Sequence, residues 1–182
     1  MQAQNLCHGF LAPVPKRQIM RKQIRTTRTD ADWTQTGMCY EIYLSTTSPD
    51  DLSNLPCELY HFMPLTQDDL PVIVNLLDNP VRWFLECQYG GCSCHFRHLN
   101  DVGEMYFAPP EDWYPEDEDN IVATSAVYDV LVGILTDGHK VDLIDAWSNT
   151  SLEAITALDV SLSEVDRDSF RFFENRKFHL SR

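Results

Sequence analysis

Residues 86 to 99, ECQYGGCSCHFRHL, gather three of the chain's six cysteines and two of its six histidines into fourteen positions. Thiolates and imidazoles are donors that zinc prefers, and a thiolate beside a histidine base is a nucleophile. A cysteine left protonated behaves as a small apolar side chain. The stretch therefore suits a metal site, a reactive thiol or one wall of a hydrophobic core. Cys87, Cys92, Cys94 and His98 are the candidate thiol and metal residues, and Cys39, Cys57 or His61 are sources of a fourth ligand. Zinc knuckles space their cysteines C-x2-C to C-x4-C, whereas residues two apart on a strand, as Cys92 and Cys94 would be, lie about 6–7 Å apart at Cα.

The element that must position these groups is written around Gly90 and Gly91, which separate VRWFLECQY from CSCHFRHL. Paired glycines between apolar runs predict a two-residue hairpin turn with positive φ. Followed outward, Tyr89 faces Cys92, Gln88 faces Ser93, Cys87 faces Cys94 and Glu86 faces His95. Leu85 then meets Phe96, Phe84 meets Arg97 and Trp83 meets His98. One surface collects Trp83, Leu85, Cys87, Tyr89, Cys92, Cys94, Phe96 and His98. On the other, Glu86, His95 and Arg97 form the candidate polar face beside Phe84, Gln88 and Ser93. Because all three cysteines fall on the apolar surface, a core wall is the leading expectation. His95 on the far side counts against a cysteine–histidine nucleophile. Cys87 and Cys94, about 5.5 Å apart at Cα in such a pair, are also within disulfide range.

Further signals flank the hairpin. CYEIYLST, rich in aromatic and β-branched residues, predicts a strand with Tyr40, Ile42 and Leu44 on one face. Ser48 and Pro49 start a short helical turn, CELYHFM reads as a second strand, and TQDDLPVIVNLLDNP suits a helix closed by Pro80. The acidic run from Glu111 to Asp119 reads as a solvated loop leading into the helix NIVATSAVYDVLVGILTDG, with Gly138 its stop. KVDLIDAWS is a strand whose Asp145, beside Trp147 and Ser148, is either a strand-end cap or a site residue, the cap being favoured. Thr150 and Glu153 match a capping box opening a short helix through Ala157. LDVSLSEV and FRFFENRKFHL are extended, and Phe170, Phe172, Phe173 and Phe178 anchor the C-terminal segment in the core.

These elements predict an α+β fold with a mixed, mainly antiparallel sheet and helices packed on one side. At 182 residues and 43% apolar content the chain suits one core, placed over residues 38–182. No run approaches the roughly 18 consecutive apolar residues of a membrane helix, and no secretory leader is evident, so a soluble cytoplasmic protein with free or metal-bound thiols is expected. The net charge is −14. Residues 1–37 hold Lys16, Arg17, Arg21, Lys22, Arg25 and Arg28 against Asp30 and Asp32, a net of +4 that leaves −18 on the remainder. That segment, with Pro13 and Pro15, reads as a disordered basic arm. So acidic a body repels phosphate backbones and disfavours nucleic acid as a partner.

MCYEIYLSTTSPDDLS, GGCSCHFRHL, DWYPEDEDN and FRFFENRKFHL together resemble a family of small uncharacterised bacterial proteins that begin at the equivalent of Met38. The resemblance covers residues 38–182 and implies no activity and no site residue. G-x-G-x-x-G, Walker, H-E-x-x-H and G-x-S-x-G signatures are absent from the sequence. The leading functional expectation is therefore a non-enzymatic interaction or accessory protein with a protein partner, no membrane attachment and no cofactor. The alternative is a thiol- or zinc-dependent small enzyme using the cysteine-rich hairpin, for which zinc is the implied cofactor.

Overall fold

The computed structural model describes residues 39–55, 57–65, 71–88, 90–99, 106–110 and 116–182. The expected basic arm, and residues 111–115 of the acidic loop, lie outside them. In chain order the elements are β1 (Tyr40–Thr46), β2 (Tyr60–Pro64), β3 (Val81–Cys87), β4 (His98–Leu99), α1 (Glu118–Thr136), β5 (Val141–Trp147), β6 (Thr156–Ser161), β7 (Phe172–Phe173) and β8 (Arg176–Ser181). Six strands form a mixed sheet in the order β2-β3-β1-β5-β8-β6, while β4 and β7 make a separate parallel pair. Among the described residues of the large sheet only the β6–β8 pairing is parallel. The α+β class and the mixed, mainly antiparallel sheet are thus as the sequence predicts.

β1 lies inside the sheet because its YEIYLST run offers side chains for two buried faces. Ile42 and Leu44 enter the main core with Leu85, Leu143, Phe178 and the apolar side of α1, including Val127 and Leu131. Tyr43 points the other way, into a smaller cluster with Ile73, Val74, Leu77, Ile144 and Ala146. α1 opens on Asp117, whose carboxylate accepts from the Asp119 amide at 2.9 Å, and closes before Gly138 at φ +85°. Glu118 and Asp119 place negative charge on its positive end. At 19 residues α1 is long and apolar enough to cross a membrane by length and composition, yet Ala123, Val127, Val130, Leu131 and Ile134 are taken up by the core.

Helix is confined, among the described residues, to α1 and short 3₁₀ turns. Of the helix expected over residues 66–80, Val72–Leu76 forms one such turn, and residues 66–70 lie outside the described residues. The expected helix from Thr150 to Ala157 is a 3₁₀ turn at Leu152–Ala154 followed at once by β6. Its capping box does not form, because the Thr150 hydroxyl donates to Asn175 Oδ1 at 2.8 Å and β8 recruits Thr156 onward into the sheet. These two turns cover the face of the sheet opposite α1.

The expected hairpin is half right. Gly90 and Gly91 do adopt φ of +78° and +77°, the Cys87 amide donates to the Cys92 carbonyl at 2.8 Å, and the Glu86 carboxylate accepts from the Gly91 amide. Beyond Cys92, however, no second strand pairs with β3. Both edges of β3 are occupied, one by β1 in the register Ile42 to Leu85 and the other by β2 in the register Tyr60 to Cys87. Residues 92–97 therefore cross over the ends of β1 and β3. Facing pairs Cys87/Cys94, Glu86/His95, Phe84/Arg97 and Trp83/His98 do not form: Glu86 pairs with His61, and Trp83 with Leu44 and Pro64.

Candidate metal centre

Ser93 fixes the crossing segment. Its amide donates to the Tyr40 carbonyl at 2.8 Å, its hydroxyl donates to the Leu85 carbonyl at 2.5 Å, and that same oxygen accepts from the Ile42 amide at 2.9 Å. A wholly buried serine thus replaces the missing rungs where β1 and β3 part. Cys92 and Cys94 flank it. Cys39 stands at the entrance to β1, where its carbonyl accepts from the Ser148 amide at 2.9 Å beyond the end of β5. These constraints bring the Sγ atoms of Cys39, Cys92 and Cys94 within 4.8 Å of one another, all three residues half-buried. Tetrahedral Zn–S bonds of 2.3 Å hold sulfurs about 3.8 Å apart, so small rotamer changes would close the group on one ion. The three thiols can hold a metal.

Burial is the main influence on Cys94 and pushes its thiol up to about 12. The Tyr40 amide, donating to Cys94 Sγ at 3.3 Å, acts in the opposite direction, while the Cys92 thiol and the sulfur of Cys39 add to the rise. Without a cation Cys94 is therefore a protonated thiol near neutral pH, a poor nucleophile. A metal ion supplies the positive charge that these crowded sulfurs lack.

His98 does not join the sulfurs. Its Nε2 lies 2.7 Å from the Ser93 carbonyl, which only accepts, so Nε2 carries a hydrogen; Nδ1 lies 2.9 Å from Asp145 Oδ2. Both ring nitrogens are committed, and the side chains of the pair are 5% and 0% exposed. The ring stacks on Tyr40 at 3.8 Å and 6°, and Tyr40 stacks on Trp147 at 4.1 Å. Asp145 thus reaches, through His98, the carbonyl between the two cysteines. Its other oxygen, Oδ1, is buried without a hydrogen-bond partner among the described residues. The Tyr40 hydroxyl donates to Glu174 Oε2 at 3.4 Å, and its pKa lies well above the ordinary tyrosine value through burial first, then Glu174, Asp145 and Cys94.

The remaining sequence candidates are dispersed. Cys87 is wholly buried in the main core, and Cys57 packs against that core. His61 is exposed on β2, opposite Glu86. His95 is exposed. Arg97, expected on a solvent face beside Phe84, is instead 4% exposed and ion-paired to Glu116. Alternation along an expected strand misplaced it, because residues 92–97 are not a strand. Sequence reasoning named Cys39 only as a fourth ligand and did not connect Asp145 to His98. The signal for Cys39 was its position at the mouth of the first strand, but its pairing with Cys92 and Cys94 depends on which strands become neighbours. In comparisons with known proteins the chain matches no family model, and no curated protein and no solved structure matches it significantly.

Proposed function

We propose that this domain binds one divalent ion of the zinc class on the thiolates of Cys39, Cys92 and Cys94, and serves as a metal-dependent accessory module. The observation that carries the reading is the convergence of three sulfurs within 4.8 Å from two places more than fifty residues apart in the chain. Soft thiolate donors select zinc or monovalent copper among biological cations. Three thiolates leave a net charge of about −1 on a divalent ion but about −2 on a monovalent one. Beside Glu174, which accepts from the Tyr40 hydroxyl, the smaller residual charge is favoured, which supports zinc. A thiol-nucleophile enzyme has less support, since Cys94 is held protonated and both nitrogens of His98 are committed elsewhere. The reading requires a reducing compartment, in which the thiols stay available.

Elemental analysis of the purified protein, paired with titration of its thiols under native conditions, tests this. One equivalent of zinc is expected, with Cys39, Cys92 and Cys94 protected from a thiol reagent until a chelator is added. Substituting Cys39, Cys92 or Cys94 by Ser should abolish stoichiometric metal, whereas Cys87→Ala should retain it. Absence of metal after zinc reconstitution, with the three thiols equally reactive in the presence and absence of chelator, would overturn the proposal.

A further inference from the structure

We infer that the fourth coordination position of this centre belongs to an exogenous neutral donor, water or an imidazole nitrogen, and that the ion exchanges with solution while the domain stays folded. This rests on the three-thiolate reading above and says how such a site would be used.

Four observations lead there. First, among the described residues no fourth His, Cys, Asp or Glu places a ligand atom at the spacing of the three sulfurs. The neighbouring imidazole of His98 donates to Ser93 O and faces Asp145, and Cys87 is sealed in the core. Second, Cys39, Cys92 and Cys94 are each half-buried, so the group meets solvent on one side. Third, the tripod is built by hydrogen bonds that need no ion. Ser93 makes three through its amide and hydroxyl and a fourth from His98 to its carbonyl, the Cys87 amide closes the reversal at Cys92, and the Ser148 amide holds Cys39. Structural zinc sites close all four positions with protein ligands and supply folding energy; sites that do work on a ligand keep one position open. A loop already held in this way leaves the ion little folding to do. Fourth, charge selects the donor. Three thiolates already leave about −1 on a divalent ion, and Glu174 accepts from the hydroxyl of Tyr40, whose amide faces Cys94, so an additional thiolate would add anionic charge to an anionic neighbourhood. A neutral oxygen or nitrogen donor does not.

Cobalt(II) substituted into the full chain reports both the sulfurs and the remaining ligand. Sulfur-to-cobalt charge-transfer absorption at the intensity of three thiolates is expected. Added imidazole should shift the visible ligand-field bands, saturating at one per cobalt, without reducing the charge-transfer band. A chelator should abolish the cobalt absorption while far-UV ellipticity is unchanged. Charge transfer at the intensity of four thiolates, bands indifferent to imidazole, or loss of ellipticity when the metal is removed would each overturn the inference. Absence of any charge-transfer band would instead remove the three-thiolate centre on which it rests.

Discussion

Ser93 is a small side chain with an unusually large share of the architecture. Its hydroxyl bridges the Ile42 amide and the Leu85 carbonyl, which face each other at the last pair of the β1–β3 register, and all three groups are buried. Ser93→Ala leaves both backbone groups without a partner in the core, at a cost of about 1–3 kcal/mol. The same change frees the segment carrying Cys92 and Cys94, so metal affinity should fall by about 10-fold or more, the range seen when outer-shell support is lost. Urea unfolding and chelator competition measure the two effects. A stability change below about 0.5 kcal/mol, the ordinary surface value, would show that the serine does not bridge the strands. The sequence made Cys92 and Cys94 legible as a pair because adjacent sulfurs are conspicuous in any linear reading. It could not reveal that the residue between them is the anchor: a serine in an alternating pattern reads as solvent-facing, and only its insertion between the Ile42 amide and the Leu85 carbonyl turns it inward.

Paired glycines gave the reversal correctly, including positive φ at both positions, because that requirement is local. The path of the chain beyond the turn is decided by competition for the edges of β3. β2 and β1 arrive from segments before β3 in the chain and take both edges, which strands the second half of the expected hairpin. No periodicity within residues 92–99 carries that information. β1, β5 and α1 were legible because each is long and patterned throughout, whereas Leu152–Ala154 and Val72–Leu76 are too short for helical nucleation to outweigh the demands of adjoining strands. The turn itself can be tested apart from the site. A Cβ at Gly91 would meet nothing within 4 Å and one at Gly90 would lie 3.5 Å from Glu86 Oε1, so neither substitution clashes. Gly91→Ala should nevertheless cost about 1–2 kcal/mol through its left-handed conformation alone. Gly91→Asn, better tolerated there, should recover much of that in thermal or urea unfolding. Equal losses for Ala and Asn would mean that something other than φ penalises the side chain.

Across the whole domain, one buried cation joins parts of the chain that the large sheet does not connect. Arg97 donates through Nε and Nη2 to Glu116 at 2.5 and 2.8 Å, through Nη1 to the carbonyls of Asp168 and Phe170, and through Nη2 to that of Ala108. Its amide donates to Thr124 Oγ1 on α1 and its carbonyl accepts from the Phe172 amide of β7. The start of α1, the segment at Ala108 and the aromatic C-terminal region are thereby tied to the residue three positions after Cys94. Hydrogen bonding to Arg97 is the largest influence on Glu116, holding its carboxyl below the ordinary glutamate value, with burial opposing and Arg171 assisting. The folded state therefore binds this proton less readily than the unfolded chain. Its stabilising effect is complete above the unfolded glutamate value, about 4.3, and is lost as pH falls through the lower folded value. Glu116→Gln should flatten that acid limb of the stability profile and leave the profile near neutrality parallel to wild type. Arg97→Met should be far more severe, about 3–5 kcal/mol, because the 16%-exposed Glu116 carboxylate loses its buried partner. The Asp168 and Phe170 carbonyls lose this donor as well, while that of Ala108 keeps Arg171 at 2.6 Å. Urea midpoints measured from neutral pH down through the acid range distinguish the two variants. An unchanged acid limb in Glu116→Gln would show that other carboxylates govern the acid transition and that the Arg97 clamp is held by its carbonyl contacts instead.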